Sequence, residues 1–211
     1  MLKRSQSMPR SSPKSLFVWG MPRRPRWGLP ASPRSPQLKI RRNSKPARLF
    51  LIQGGAGGVA GFGVQLAKHL GATVITTASA SNHPYVRGLG ADRVIDYNAE
   101  DFSAIGPICD VVFDTVGGAV RAGCYAVLKP GGKLVWIAPA PEGFQPSRND
   151  VQTLRPNVIR DRAHLEQMRE LLDAGAVRPP TIVRYRLADA AEAHRVSEAR
   201  HLQGKLVLEV R

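Results

Sequence analysis

Apolar residues fall into two regimes along this chain. Before residue 47 they are scattered, and their only cluster is Leu16–Trp19. From residue 47 they follow regular periods. Arg48–Gln53 is a short apolar run ending in Gly54-Gly55, which predicts a strand buried on both faces. Val59, Phe62, Gly63, Leu66 and Leu70 recur at three- and four-residue steps and predict a helix stopped by Gly71. Ala72–Thr77 reads as a second strand, and Pro84 opens a short helix running to Leu89. Arg93–Asp96 and Asp110–Asp114 are two further strands. A helix near Ala119–Leu128, a Pro130-Gly-Gly turn and a strand over Lys133–Ala138 come next. Residues 139–162 carry no readable period. Beyond them the pattern predicts a helix over His164–Ala174, an extended Pro179–Arg186, a helix over Ala188–Arg200 and a last strand, Gly204–Val210. Strands alternating with helices over short connections predict an α/β fold, an open parallel sheet with helices on its faces.

Charge separates the same two regions. The 211 residues carry 31 Lys+Arg against 16 Asp+Glu, a net +15 that would suit a nucleic-acid partner. Residues 1–48 hold 13 of the basic residues and no acid, whereas residues 49–211 hold 18 basic residues and all 16 acids, a net +2. The first 46 residues also hold eight of the 17 prolines and eight serines. Proline removes backbone donors and like charges repel, so residues 1–46 are expected to be a disordered basic tail. Such a tail touches nucleic acid only non-specifically, through phosphate. Its prolines interrupt every candidate amphipathic targeting helix, so a cytoplasmic location is expected. No run of 18 apolar residues spans a membrane, and Cys109 and Cys124 alone make neither a disulfide framework nor a metal site.

The candidate chemistry lies at the first crossover. Gly55-Ala-Gly57-Gly-Val-Ala60 fits G-x-G-x-x-G/A between a strand and a helix. In that pattern Gly55 allows the tight turn and Gly57 lets a diphosphate approach the backbone. A small Ala60 lets the helix pack close, and the free N–H groups at the helix start bind phosphate. A nucleotide site is expected. The end of the second strand selects among nucleotides: Thr76-Thr-Ala-Ser-Ala-Ser-Asn-His83 contains no acid to hold a free ribose, so NADP(H) is expected over NAD(H). The competing role for Ser79, Ser81 and Asn82 is capping the next helix. His194 and His201 read as surface residues, and Asp110 and Asp114 as strand-end markers. No residue is singled out as catalytic, and none as a metal ligand.

In combination these motifs resemble the medium-chain dehydrogenases/reductases of the zinc-independent, quinone-oxidoreductase-like branch. The likeness rests on Leu51–Lys68, Gly71–Ser79, Leu89–Asp92 with Val94–Tyr97, Asp110–Gly118 and Leu128–Val135. It continues through Asp173–Gly175, Ala190–Arg195 and Gly204–Leu208. The resemblance implies a doubly wound, parallel-sheet Rossmann domain over residues 47–178. Residues 179–211 would be the segment that, in the family, returns to a catalytic domain. Gly57, Gly58 and Val59 would meet the diphosphate, Ser79 and Tyr97 the adenosine ribose phosphate, and Thr115, Val116 and Ile137 the nicotinamide. Two positions depart from the family pattern: Ala60 replaces a usual glycine, and Ser81 or Asn82 stands where a lysine is common. The basic tail also occupies the place of the family's catalytic domain. The two late strands are therefore expected to lack their usual sheet partners, leaving edges that invite homodimerisation. The function implied is NADP(H)-dependent reduction of a small quinone or enone, in a truncated form from which efficient catalysis on its own is not expected. The alternatives are a non-catalytic nucleotide-binding or interaction module and an S-adenosylmethionine-dependent methyltransferase. Against the latter, Gln53 and Thr77 stand where methyltransferases carry acids.

Overall fold

The structure, a computed structural model, describes residues 48–157, 161–199 and 202–210. Expectations for residues 1–46, the tail, lie outside it. The first region runs β1 (Leu49–Ile52), α1 (Gly58–His69), β2 (Thr73–Ala78), α2 (His83–Gly88) and β3 (Arg93–Asp96). It continues through β4 (Cys109–Asp114), α3 (Val120–Ala126), β5 (Leu128–Trp136) and β6 (Gln152–Leu154). The six strands form one sheet in the order β3-β2-β1-β4-β5-β6, and every pairing is parallel. The strand order reverses between β1 and β4, the topological switch point where open α/β sheets bind ligands. The expected doubly wound Rossmann arrangement is present.

Burial explains why the central strands read so clearly. Leu51 of β1 lies beside Ile75 of β2 and Val112 of β4, and all three are buried. One side of the core gathers Leu51, Ile75, Ile95, Val112 and Leu134 with Cys124, Tyr125 and Val127 around α3. On the other, α1 lays Ala60, Val64 and Ala67 against the sheet. Gly63 brings that helix close to the Phe113 ring, which a Cβ there would meet at 3.4 Å.

Two boundaries differ from the sequence reading. The β5 strand begins at Leu128, and the expected Pro130-Gly-Gly turn is an irregularity inside it. The register jumps between Cys109 and Val111, and Gly131 takes φ +75°. The strand also ends at Trp136, which leaves Ile137 just past its end. The β6 strand lies inside the stretch without a readable period. It has three residues, all exposed, at the sheet edge, so no alternation of burial marks it.

Farther along come α4 (Arg162–Asp173), β7 (Ile182–Arg186), α5 (Ala190–Glu198) and β8 (Lys205–Glu209). The β7 and β8 strands pair with each other in parallel, from Ile182 beside Lys205 to Arg186 beside Glu209. Asp161 caps α4 by accepting from the His164 N–H at 2.9 Å, yet α4 buries no residue. Leu165 and Met168 on it are exposed. The connection out of α4 is tied to α1: Gln65 Oε1 accepts from the Arg178 N–H at 2.9 Å, and Gln65 Nε2 donates to the Arg178 carbonyl at 3.2 Å. Gly204, next to β8, pairs in parallel with Gly57 and donates to the Ala56 carbonyl at 3.0 Å.

Candidate functional site

The switch point gathers three groups of residues: the β1–α1 loop, the ends of β2 and β3, and the ends of β4 and β5. The loop is built from beneath by a buried polar network. The Thr77 hydroxyl donates to Gln53 Oε1 at 2.7 Å and accepts from the Gly54 N–H at 2.9 Å. Gly55 N–H reaches the Thr77 carbonyl at 3.0 Å, and the Thr76 hydroxyl holds the Ile52 carbonyl at 2.6 Å. Gln53, Thr76 and Thr77 are all buried, and their side-chain polar atoms find partners in one another, in the end of β1, in the loop and, for Gln53 Nε2, in the Cys124 thiol at 3.8 Å.

The glycines divide their work differently from the fingerprint expectation. Gly54, not Gly55, takes the left-handed conformation, with φ +70°. Gly55 is glycine because a Cβ there would overlap the Thr76 hydroxyl. Gly57 is the residue before α1, with φ −72° and ψ 157°, and no side chain caps the helix. No acid stands in the first turn of α1, so the positive end of its dipole faces outward uncompensated. Val59 is half exposed there, and Ala60 is buried against the sheet. A Cβ at Gly58 would collide with the aliphatic stem of Lys205, which lies over the loop from β8.

At the end of β2, Ser79 is buried and its hydroxyl accepts from Asn82 Nδ2 at 3.1 Å, with Ser81 Oγ 3.3 Å away. Neither Ser79 nor Asn82 makes a side-chain cap bond to the helical segments that follow. The capping role considered for them is therefore absent, and the pair forms a small polar platform. His83 turns to the Ala78 carbonyl at 3.3 Å, and Arg87 is exposed nearby in sequence on α2. Tyr97 follows directly on β3 and is 45% exposed.

Thr115 and Val116 follow β4. The Thr115 hydroxyl donates to the Gln53 carbonyl at 2.8 Å, tying this strand end to the β1–α1 loop. Val116 and Ile137 are both exposed, and Ile137 N–H bonds the Asp114 carbonyl at 3.1 Å. Asp114 itself is buried against Arg121, and Asp110 accepts from the Leu49 N–H at 2.7 Å and from Lys129 at 3.0 Å. Both aspartates stand near the ends of β4, where the sequence pattern placed them. Burial pushes the Cys124 thiol, which lies beneath Gln53, up to about 12, so it is no nucleophile at neutral pH. His194 is a surface residue near Glu198, and His201 lies outside the described residues. Sequence reasoning missed Gln53, Thr77 and Arg121 as builders of the site. Their only signal was being polar residues in or beside apolar runs.

The arrangement defines a Rossmann domain with an anion-receptive glycine loop at its switch point. The zinc-binding dehydrogenase family model matches residues 89–208, and the chain belongs to that family, within the medium-chain dehydrogenases/reductases. It is 33% identical over 178 residues to the chloroplastic NADPH-dependent alkenal/one oxidoreductase of Arabidopsis thaliana, covering 80% of this chain and 42% of the relative. A chloroplastic quinone oxidoreductase of Triphysaria versicolor is 32% identical over 177 residues, covering 79% and 54%. Among solved structures, the quinone oxidoreductase of Coxiella burnetii superposes with a TM-score of 0.67 at 33% identity, over 78% of this chain and 53% of that one. The Escherichia coli quinone oxidoreductase complexed with NADPH does so at 0.68 and 28%, over 82% and 60%. The chain thus spans about half the length of the curated relatives it matches. Family membership leaves the methyltransferase alternative without support.

Proposed function

We propose that this chain binds NADP(H) at the β1–α1 loop and serves an oxidoreductase acting on small quinones or enones. The observation that carries the reading is the loop itself: an uncapped, acid-free helix start, reached through Gly57, at the reversal of strand order. In this reading Gly54 carries the turn, Gly55 lets the loop lie close on Thr76, and the backbone of Gly57, Gly58 and Val59 binds the diphosphate. Ser79 and Tyr97 hold the adenosine ribose phosphate, with no carboxylate at the end of β2 to repel it. Thr115, Val116 and Ile137 bound the nicotinamide end. The bound cofactor supplies a hydride; the chain's own contribution is to hold and orient it, and positioning is where such a protein acts. Family members named for quinone and alkenal substrates support the substrate class. Among the described residues no three His, Cys, Asp or Glu side chains gather to hold a metal.

A second reading, a nucleotide-binding interaction module, is favoured by one observation: the exposed apolar side chains of β7 and β8. Calorimetric titration of the full chain with NADPH and NADH at physiological salt tests the cofactor reading. Saturable binding, tighter for NADPH, is expected, and Gly55→Val should abolish it because its side chain has no room beside Thr76. The basic residues of the first 46 attract any polyphosphate, but they are unchanged in that variant. Equal binding by the variant and the native chain would overturn the reading. Quinone turnover by the NADPH-bound chain then separates the enzyme from the module.

A further inference from the structure

The buried pair Asp114–Arg121 is the most elaborate polar arrangement outside the glycine loop. Asp114 closes β4 and is fully buried, and Arg121, in the first turn of α3, is 3% exposed. Asp114 Oδ1 accepts from the Val116 N–H at 3.0 Å and the Gly117 N–H at 2.8 Å. Its Oδ2 accepts from Arg121 Nε at 2.6 Å. The other arm of the guanidinium, Nη2, donates to the Ala138 carbonyl at 2.6 Å, and its flat face lies 4.8 Å from the centre of the Trp136 ring. Beside it the Gly118 N–H bonds the Pro139 carbonyl at 2.9 Å. Gly117, at φ +70°, has no room for a Cβ against that same carbonyl. Two loops that leave adjacent strands are thus joined through this charge pair and the backbone bond beside it.

We propose that Asp114 and Arg121 are positioning residues for the nicotinamide end of the site. Together they clamp the 115–118 turn to the 137–139 segment and so fix where Val116 and Ile137 stand. The proposal rests on the NADP(H) reading above. A buried ion pair is a poor way to gain stability, since apolar residues of the same volume do as well or better. What it supplies is direction. A carboxylate that accepts three bonds and a guanidinium that spans two loops allow one arrangement of the backbone. Lysine keeps the charge but cannot bridge Asp114 and the Ala138 carbonyl at once, so Arg121→Lys releases the clamp.

The test uses the full chain, native and Arg121→Lys, with the milder Trp136→Leu as a second variant that removes the ring on which Arg121 stacks, along with that ring's second contact, to Arg155 at 5.1 Å. Amide hydrogen exchange without nucleotide comes first. Faster exchange at the amides of residues 115–118 and 137–138 is expected in both variants, with the far strands β1, β2 and β3 unchanged. Titration with NADPH and with 2′,5′-ADP, which lacks the nicotinamide half, comes second. Arg121→Lys should weaken NADPH about ten-fold, the loss of roughly one charge-assisted hydrogen bond, and leave 2′,5′-ADP unchanged. Equal weakening of both ligands would make the pair merely structural and overturn the proposal, as would unchanged loop exchange. If the native chain binds neither nucleotide, the NADP(H) reading fails. The exchange result, obtained without nucleotide, still decides whether the clamp exists. Should Arg121→Lys fail to fold, the same two comparisons on Trp136→Leu decide the matter.

Discussion

Single residues beneath the loop are held by burial more than by charge. Burial pushes the Cys109 thiol up to about 11, and the neighbouring Asp110 carboxylate adds to the shift. Cys124, higher still, is enclosed with Gln53 beside Asp114. A thiol reacts as thiolate, so neither should be alkylated by iodoacetamide in the folded chain at pH 7.5. Both should react at once in denaturant, and mass spectrometry of the intact chain reads the difference. Rapid labelling of Cys124 under native conditions would mean that the network of Gln53, Thr77 and Thr115 opens far more readily than its hydrogen bonds imply. That network also explains why polar residues stand in apolar strands. The Thr76 and Thr77 hydroxyls bond backbone and side-chain groups of the β1 end, so each satisfies a partner that water cannot reach.

Elements are joined at their ends by carboxylates. Asp92, ahead of β3, links α1 and β2: its carboxylate accepts from Lys68 Nζ at 2.8 Å and from the Val74 N–H at 2.7 Å. Burial raises its pKa, but the bonds from Lys68 and Val74 outweigh that effect and hold it below the ordinary 3.8. A carboxyl lowered in the folded state stabilises the fold above its unfolded pKa and loses that contribution as pH falls through its folded value. Asp92→Asn should therefore cost about 1 kcal/mol at pH 7, a figure limited by solvent screening of the half-exposed pair. The gap from the native chain should close below pH 4, as urea melts at several pH values would read. At this scale the sequence is informative wherever burial is one-sided or complete. The β1, β2 and β4 strands are apolar because both sheet faces are covered, and α1 shows its period because one face packs on Ile52 and Phe113. Short, exposed β6 has no such imprint. Within the site, the fingerprint located the loop and both strand ends. It could not show that Gly54 would carry the left-handed turn, or that Arg121 would meet Asp114. Those facts depend on which side chains the folded sheet brings together, and a periodic pattern does not record partners.

Across the whole molecule, apolar surface is distributed unevenly. Ile182, Val183, Val207 and Leu208 are exposed on β7 and β8, and Leu165 and Met168 on α4. Among the described residues no further strand pairs with this two-stranded sheet, and its exposed apolar side chains favour association. Gel filtration of the full chain should show self-association that rises with concentration. The double variant Val183→Lys and Leu208→Lys should reduce it and leave NADPH binding unaltered, since neither residue belongs to the loop. A monomer at all concentrations in the native chain would remove the homodimer expectation. The same sheet has a second role through Gly204, which rests on Ala56 and Gly57, and Lys205, whose stem lies on Gly58. These contacts join the beginning of the described fold to its end. During synthesis the glycine loop leaves the ribosome early, but the residues that lie over it emerge only after every strand of the main sheet has been made. The contacts that Gly204 and Lys205 make over the loop are thus the last to become possible. A nascent chain can have its six-stranded sheet in place and still lack the cover over its candidate site until translation reaches β8.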